Sequence, residues 1–189
     1  MNILEAYIKK YHQFIVLILG LPCSNKSEIA KELVIDLNLP IININDYLKP
    51  DTFIEKEISD VKFKLYEHPD NYDWDKLNTE VNEKKSSGLI LYGNYVDKTK
   101  LDFNPDFIYF MNMNTGLCKK ILIEKQMLPY KDSDEKVDLY FKEIFNPIYD
   151  KVKEEFKINK FFNLKETTMF DETYNEVFDN LMDIIKKKL

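Results

Sequence analysis

The residues with the clearest chemical potential lie in the stretch FIVLILGLPCSNKSEIA, residues 14–30. An apolar run leads to Gly20, and four residues separate that glycine from Asn25-Lys26-Ser27 and a helical pattern. A Walker A loop has the form G-x-x-x-x-G-K-[ST] between a strand and a helix, because backbone N–H groups and the helix N-terminus then converge on phosphates. The spacing therefore predicts a phosphate-binding loop.

Each residue type in this loop has an expected part. The Lys26 ammonium would reach the outer phosphates of ATP, and the Ser27 hydroxyl would hold Mg²⁺. Asn25 stands where the template has its second glycine, and asparagine is among the few residues that tolerate a left-handed backbone. The alternative is a strand-to-helix turn with an incidental Lys-Ser pair. The residues predicted to bind the nucleotide are Gly20, Cys23, Ser24, Asn25, Lys26 and Ser27, with Cys23 and Ser24 contributing only backbone N–H groups.

Short apolar runs alternate with longer helical patterns along the chain, and this alternation predicts an α/β fold with a parallel sheet flanked by helices. One long helical pattern runs from Val137 to Phe156, with a predicted kink at Pro147. The polar stretch 124–135 lacks periodicity and is predicted to be a mobile flap. The predicted strands are residues 14–19, 41–44, 89–92, 107–111 and 161–164.

The composition limits the classes of function. The 189 residues carry a formal net charge of −6, so we expect no broad surface for nucleic acid or for an anionic membrane. All 27 basic residues are lysine, so the chain lacks the planar guanidinium group that often clamps phosphate. The length predicts a single domain over residues 1–189, and oligomerisation stays open.

The cysteines and the first residues bear on the compartment. Cys23 and Cys118 lie far apart and lack metal-ligand spacing, which predicts reduced thiols in a cytoplasmic protein. The apolar run at 14–19 is too short to span a bilayer. The residues before it, ILEAYIKKYHQ, are typical of an amphipathic helix rather than of a signal peptide.

Four further stretches resemble one family of P-loop enzymes. NDYLKPD, residues 45–51, is similar to the Asp-Asp-Phe-[Phe/Tyr]-Lys-Pro segment of nicotinamide riboside kinases and uridine kinases. HPDNYDWDKL, residues 68–77, resembles the His-Pro-Asp segment of uridine and cytidine kinases. CKKILIEK, residues 118–125, is similar to their basic lid helix, and FNPIYDKVKEEF, residues 145–156, to the Pro-x-Tyr helix that follows. The resemblance runs in order from residue 14 to about residue 164.

This resemblance implies a P-loop nucleoside kinase. The implied fold is a three-layer P-loop kinase domain with a parallel sheet of about five strands and a small lid, at about residues 119–135. The implied reaction is in-line transfer of the γ-phosphoryl group of ATP, with Mg²⁺, to the 5′-hydroxyl of a small-molecule nucleoside.

The resemblance also implies roles for individual residues. Asp46 would orient or deprotonate the acceptor hydroxyl, and positive charge in the lid would neutralise the transferring group. The implied catalytic residues are Lys26, Asp46 and Lys125, the lid contacts to the nucleotide are Lys119 and Lys120, and the substrate contacts are Asp46, Tyr47, His68, Asp70 and Tyr72. The alternatives are a turn or capping role for Asp46, a solvated helix face for the lid lysines, and packing for the two tyrosines.

Three positions depart from the family pattern. If Lys49-Pro50 sets the register, the usual catalytic aspartate falls on Asn45. Tyr92 stands where the family has a strand-ending glutamate that organises the metal, and Asn25 is the third departure. Because all three fall in one site, a second hypothesis is a catalytically impaired, kinase-derived protein that binds a nucleotide or nucleoside. The sequence leaves open which nucleoside, or nucleoside monophosphate, would be the acceptor.

Overall fold

The computed structural model describes residues 3–50, 53–128, 130 and 133–189. Its strands are β1 (Ile15–Gly20), β2 (Ile41–Asn43), β3 (Ile54–Ile58), β4 (Val61–Leu65), β5 (Leu89–Gly93), β6 (Phe107–Met113) and β7 (Lys160–Leu164). Its helices are α1 (Ile3–Tyr11), α2 (Lys26–Leu37), α3 (Trp74–Lys84), α4 (Thr115–Glu124), α5 (Asp134–Tyr140), α6 (Asn146–Glu155) and α7 (Phe170–Lys188). Within these described ranges, no helix is long and apolar enough to cross a membrane.

Five strands form one parallel sheet in the order β2-β5-β1-β6-β7. β1 lies in the centre, where Leu17 is level with Leu91 of β5 and with Ile108 of β6. These are the five strands predicted from the apolar runs, and their ends differ from the prediction by at most two residues. The predicted α/β fold is confirmed.

The central strand is buried on both faces, which explains why it reads as a continuous apolar run. Its alternate side chains enter two cores: Ile15, Leu17 and Leu19 face one, and Val16 and Ile18 face the other. Helices α3, α4, α5 and α6 cover the first core, and helices α1, α2 and α7 cover the second. This three-layer packing fixes the carboxyl end of β1, where the predicted phosphate loop begins.

A β-hairpin between β2 and α3 is a feature that the sequence patterns did not predict. β3 and β4 pair antiparallel, and opposite charges face each other where Glu55 lies across from Lys64. The connecting turn, Ser59-Asp60, has positive φ angles of 48° and 62°. Turns of this geometry usually carry asparagine and glycine, so the sequence shows no standard hairpin signal.

The long helix predicted over residues 137–156 is present, with an altered centre. A π-helical segment, Phe141–Phe145, joins α5 to α6 directly before Pro147. Proline has no N–H to donate, and its ring collides with the carbonyl group four residues earlier, so the helix widens in the preceding turn. The predicted kink thus takes the form of a π segment.

Candidate active site

The phosphate loop predicted at residues 20–27 connects β1 to α2 at the carboxyl edge of the sheet. Gly20 ends β1 against the neighbouring strand β6. A Cβ atom at this position would lie 2.5 Å from the carbonyl oxygen of Met111 and 2.8 Å from Ser24 Oγ. Glycine is therefore required at the start of the loop because β6 passes too close for a side chain.

Two residues inside the loop have a left-handed backbone, with φ angles of 61° at Cys23 and 56° at Asn25. Asn25 thus adopts the conformation expected of the glycine that it replaces. A left-handed backbone costs an ordinary residue about 1–2 kcal/mol, and asparagine is among the residues that tolerate it best. The strain at Cys23 was not predicted from the sequence.

The loop encloses two polar groups with unfilled hydrogen-bonding capacity. Lys26 is only 6% exposed, and its Nζ donates to the carbonyl oxygen of Leu21 at 3.0 Å. Burial lowers the pKa of the Lys26 ammonium to about 8, while the nearby carboxylates of Glu28 and Glu67 act in the opposite direction. Among the described residues, Ser24 Oγ is the only buried side-chain nitrogen or oxygen without a hydrogen-bond partner. Both groups fit a bound phosphate.

Two side chains that could supply oxygen ligands to a metal ion, Ser27 and Glu28, lie in the first turn of α2. Ser27 Oγ donates a hydrogen bond to Glu28 Oε2 at 2.8 Å. Burial raises the pKa of the Tyr92 phenol, and the charges of Asp46 and Glu28 raise it further. No three Asp, Glu, His or Cys side chains in the described ranges cluster as a metal site. A magnesium ion beside Ser27 and Glu28 would therefore need phosphate oxygens among its ligands. Binding through one or two carboxylates together with substrate phosphates is usual for this ion.

A first cavity of about 340 Å³ opens beside the loop, on the side of β6 and β7. Met113 of β6 and Leu164 of β7 line it at the ends of their strands. Cys23, Ser24 and Asn25 form its loop side. A ligand in this cavity would therefore touch the phosphate loop directly.

The three predicted lid lysines have different surroundings. Lys125 caps α4 and lines the first cavity. Lys119 pairs with Asp138, and Lys120 pairs with Glu166 at 2.9 Å, and neither lysine lines the first cavity. The structure therefore places Lys125 in the wall of the cavity that borders the loop, and the other two lysines in ion pairs.

A second cavity of about 380 Å³ opens on the opposite side of β1. Pro22 of the loop, Asn45 after β2 and Asn94 after β5 lie in its wall. Its aromatic lining consists of Tyr66, Tyr72, Tyr140 and Phe145. Such a wall suits a small ligand with a planar ring, which stacks on aromatic side chains.

Asp46, predicted to orient the acceptor hydroxyl, lies outside the second cavity. It is exposed on the turn after β2, where its Oδ1 accepts a hydrogen bond from Asn43 Nδ2 at 2.9 Å. The preceding residue, Asn45, lines the cavity in its place. The structure thus puts Asp46 on an exposed turn and not among the residues that line the second cavity.

Glu67 is a site residue that the sequence patterns missed. It lies in the wall of the second cavity, where it is the only carboxylate among the described lining residues, and it is 9% exposed. The Tyr149 hydroxyl donates to Glu67 Oε1 at 3.5 Å. Burial raises the pKa of Glu67 to about 7, and the hydrogen bond from Tyr149 and the charge of Lys26 act in the opposite direction. In the sequence, Glu67 could have been found from its position directly before the His-Pro-Asp stretch.

The buried residue Asn71 fixes the segment that carries Glu67. Its Nδ2 donates to the carbonyl oxygens of Leu65 and Tyr66, and its Oδ1 accepts from the N–H of Ile54 at 3.1 Å. These bonds join both strands of the hairpin to the turn that follows. The HPDN stretch therefore positions the cavity wall.

The remaining predicted substrate residues are divided between several places. His68 lines a third cavity of about 370 Å³, which shares Glu67 with the second, and its Nδ1 accepts from the Asp70 N–H at 3.2 Å. Asp70 is exposed and lines neither of these cavities. Tyr47 is buried and donates its hydroxyl to Glu80, so it packs beside α3 instead of lining the second cavity.

No protein-family model and no curated protein matches this sequence. Solved structures match its architecture. The YorR protein from Bacillus subtilis, in complex with phosphorylated GDP, aligns over 89% of this chain and 95% of its own with a TM-score of 0.50 and 12% identity. Shikimate kinase from Aquifex aeolicus aligns over 90% of this chain and 97% of its own, with a TM-score of 0.50 and 16% identity.

The chain has the fold of the P-loop kinases. In this P-loop kinase fold, the first and second cavities lie at the carboxyl edge of the sheet, on opposite sides of the central strand. Ligands of open parallel sheets bind at this edge, where the strand order reverses. Residues of the phosphate loop border both cavities, and Glu67 lines the second.

Proposed function

We propose that this chain transfers the γ-phosphoryl group of ATP to a hydroxyl group of a nucleoside. The observation that carries the proposal is a phosphate loop with a buried Lys26 that contributes residues to two cavities, one on each side of β1. Two substrates, one in each cavity, would then meet at the loop that carries Lys26. In-line phosphoryl transfer requires this arrangement, since catalysis rests mainly on positioning and on charge stabilisation.

The first cavity is the proposed donor site. A nucleotide there would place its phosphates on the N–H groups of the loop and on the N-terminus of α2. Met169, which lines this cavity and is 62% exposed, offers an apolar contact for the base. Lys125 would add positive charge near the transferring group.

We propose that Ser27, Glu28 and Asp46 supply the protein side of the magnesium site. The Ser27 hydroxyl is the direct protein ligand that the loop offers, and it donates a hydrogen bond to Glu28. The charges of Glu28 and Asp46 both raise the pKa of the same group, the Tyr92 phenol. When bound, the ion would neutralise negative charge on the phosphate oxygens.

The second cavity is the proposed acceptor site. Tyr72 and Tyr140 are among its aromatic walls, and a nucleobase would stack against such rings. Its volume of about 380 Å³ lies within the usual range for small-molecule sites. The resemblance of the 45–51 and 68–77 stretches to uridine, cytidine and nicotinamide riboside kinases makes these nucleosides the first acceptors to test.

Asn45 favours a second candidate function, a protein that binds the nucleoside without transfer. It lines the second cavity at the place where the family pattern has its catalytic aspartate. A carboxamide cannot take the proton that the attacking hydroxyl must lose. Binding and transfer must therefore be measured separately.

The test is transfer of labelled γ-phosphate from ATP·Mg²⁺ to uridine, cytidine, nicotinamide riboside and deoxynucleosides. We expect label in a nucleoside product, and we expect Lys26→Met to lower kcat/KM by about 100-fold or more, because the ammonium that stabilises the transferring charge is lost. Methionine keeps most of the bulk of this buried side chain. Lys31→Met, the same change at an exposed position of α2, is the matched control and should retain activity.

Calorimetric binding of ATP and of each nucleoside separates the two candidate functions. A bound nucleoside without labelled product would support the binding protein. A wild-type protein that neither transfers phosphate nor binds ATP would overturn the proposal.

A further inference from the structure

We infer that Glu67 is the carboxylate that takes the proton from the acceptor hydroxyl, in place of Asp46. The inference rests on the proposed function and names a catalytic residue for it. Among the described residues in the wall of the second cavity, Glu67 alone carries a carboxylate. Asp46 is exposed, accepts a hydrogen bond from Asn43 and is absent from the lining of that cavity.

Glu67 is also close to the phosphate loop. Pro22 of the loop lines the same cavity, and the Glu67 carboxylate and the Lys26 ammonium interact electrostatically, each moving the pKa of the other toward its charged form. In a loop of this type, the lysine marks the place of the outer phosphates. A hydroxyl in the second cavity can therefore lie between Glu67 and the phosphoryl group to be transferred.

Asn45 has a complementary part in this arrangement. Asn45 lines the same cavity, and its side chain carries both a donor and an acceptor, which suits it to orient a hydroxyl group. It cannot remove the proton. The orienting and proton-accepting roles are thus divided between Asn45 and Glu67.

The surroundings of Glu67 suit a proton acceptor at neutral pH. Burial is the main cause of its raised pKa of about 7, opposed by the Tyr149 hydroxyl of α6 and by Lys26 of α2. A base is most effective when its pKa is near the working pH. The other titratable groups that face Glu67 or line its two cavities are Lys56, Tyr66, His68, Tyr72, Tyr95, Cys118, Tyr140, Glu143 and Lys151.

The step conserves atoms and electrons. The acceptor oxygen forms a bond to the γ-phosphorus of ATP while its proton moves to a Glu67 oxygen. The bond from the γ-phosphorus to the bridging oxygen breaks, and its electron pair leaves with ADP. Glu67 gives the proton to solvent once the phosphorylated product has left.

The test compares Glu67→Gln and Asp46→Asn in steady-state transfer to the acceptor that the wild type phosphorylates. Glutamine keeps the shape of the protonated glutamate but cannot take a proton. We expect kcat of Glu67→Gln to fall by about 100-fold or more, with KM for the acceptor and ATP binding little changed. Glu83→Gln, the same change at an exposed position of α3, is the matched control.

The pH profile adds a readout that a structural role would not move. Wild-type kcat/KM should rise with pH through an inflection near 7, the pKa of Glu67, and fall again as the Lys26 ammonium, with a pKa of about 8, loses its proton. Glu67→Asp should retain the rising limb, because a carboxylate remains. The residual activity of Glu67→Gln should keep only the falling limb.

The outcomes separate this inference from the proposed function. A wild type that transfers phosphate, with the loss of kcat in Asp46→Asn and not in Glu67→Gln, overturns the inference alone. A Glu67→Gln variant with raised KM and unchanged kcat does the same, since it shows a binding role. A folded wild type without transfer overturns both. If Glu67→Gln does not fold, Glu67→Asp decides: its shorter side chain should lower kcat while the rising limb remains, and an unaltered kcat would count against Glu67.

Discussion

At the scale of single residues, the phosphate loop is a strained structure built with few glycines. Gly20 is present where β6 leaves no space for a side chain. Cys23 and Asn25 adopt the left-handed backbone that glycine would adopt more easily. The loop keeps its shape because β1 before it and α2 after it are anchored in the two cores.

Glycine at Cys23 should stabilise the protein. We expect Cys23→Gly to raise the free energy of unfolding by about 0.5–1 kcal/mol, since the relief of the left-handed strain exceeds the chain entropy that glycine adds to the unfolded state. Asn25→Ala should lower it by about 1 kcal/mol, because alanine tolerates this backbone less well than asparagine. Urea denaturation measures both values. A less stable Cys23→Gly variant would show that packing of the thiol outweighs the strain.

At the scale of elements, the hairpin of β3 and β4 is the least self-sufficient part of the fold. Its strands are mostly exposed, and Phe63 is its fully buried side chain. That ring packs on Tyr130 at 4.9 Å and on Tyr140 at 6.1 Å between ring centres. The N–H of Lys64 also donates to the Tyr130 hydroxyl, so the hairpin is attached to the segment between α4 and α5.

Truncating Phe63 should release the hairpin. Phe63→Ala is expected to lower the free energy of unfolding by about 3 kcal/mol, as for other large aromatic deletions in a core. Amide hydrogen exchange should accelerate in β3 and β4 far more than in β1, because the central sheet keeps its own contacts. Val61→Ala, a truncation at a half-buried position of the same strand, is the control and should cost less. Equal acceleration in β1 and the hairpin would show that the hairpin is part of one cooperative unit.

At the scale of the whole molecule, two well-packed cores hold a site that is itself destabilising. The Glu67 carboxylate and the Lys26 ammonium are both buried, and burial disfavours the charged form of each. Their mutual attraction offsets this cost in part. The large apolar cores on both faces of the sheet supply the stability that the site lacks.

This cost should appear in the pH dependence of stability. The pKa of Glu67 is about 7 in the folded protein and 4.5 as its ordinary value. Between these values the folded state holds a proton that the unfolded state has lost, so the stability contributed by Glu67 falls as pH rises and is lost above 7. We expect Glu67→Gln to be more stable than the wild type by about 3 kcal/mol at pH 8 and by less than about 1 kcal/mol at pH 5.

Urea denaturation of both proteins at the two pH values measures this difference. Glu83→Gln is again the matched control, and its effect should be the same at both values. If Glu67→Gln also gave the same difference at pH 5 and pH 8, the pKa of Glu67 would be unshifted. Burial of this carboxylate would then not lower the free energy of unfolding.

The sequence by itself determined the sheet, its flanking helices and the phosphate loop. These features depend on local patterns: the apolar run before Gly20, the helical spacing after Ser27, and the alternation that continues to the end of the chain. Apolar periodicity directly reflects which face of an element is buried. The left-handed backbone at Asn25 could also be predicted from the sequence, because the tolerance of that conformation depends on the type of the single residue that adopts it.

Only the tertiary structure decided which side chains share a cavity. Asn45 and Asp46 are neighbours in sequence, yet the first lines the second cavity and the second is exposed. Glu67 reaches the same cavity from an unpredicted hairpin, whose Ser59-Asp60 turn gives no standard signal. Burial, and with it the pKa of a carboxylate, is set by elements that are distant along the chain, such as α2 and α6 around Glu67. A local pattern contains no information about such neighbours.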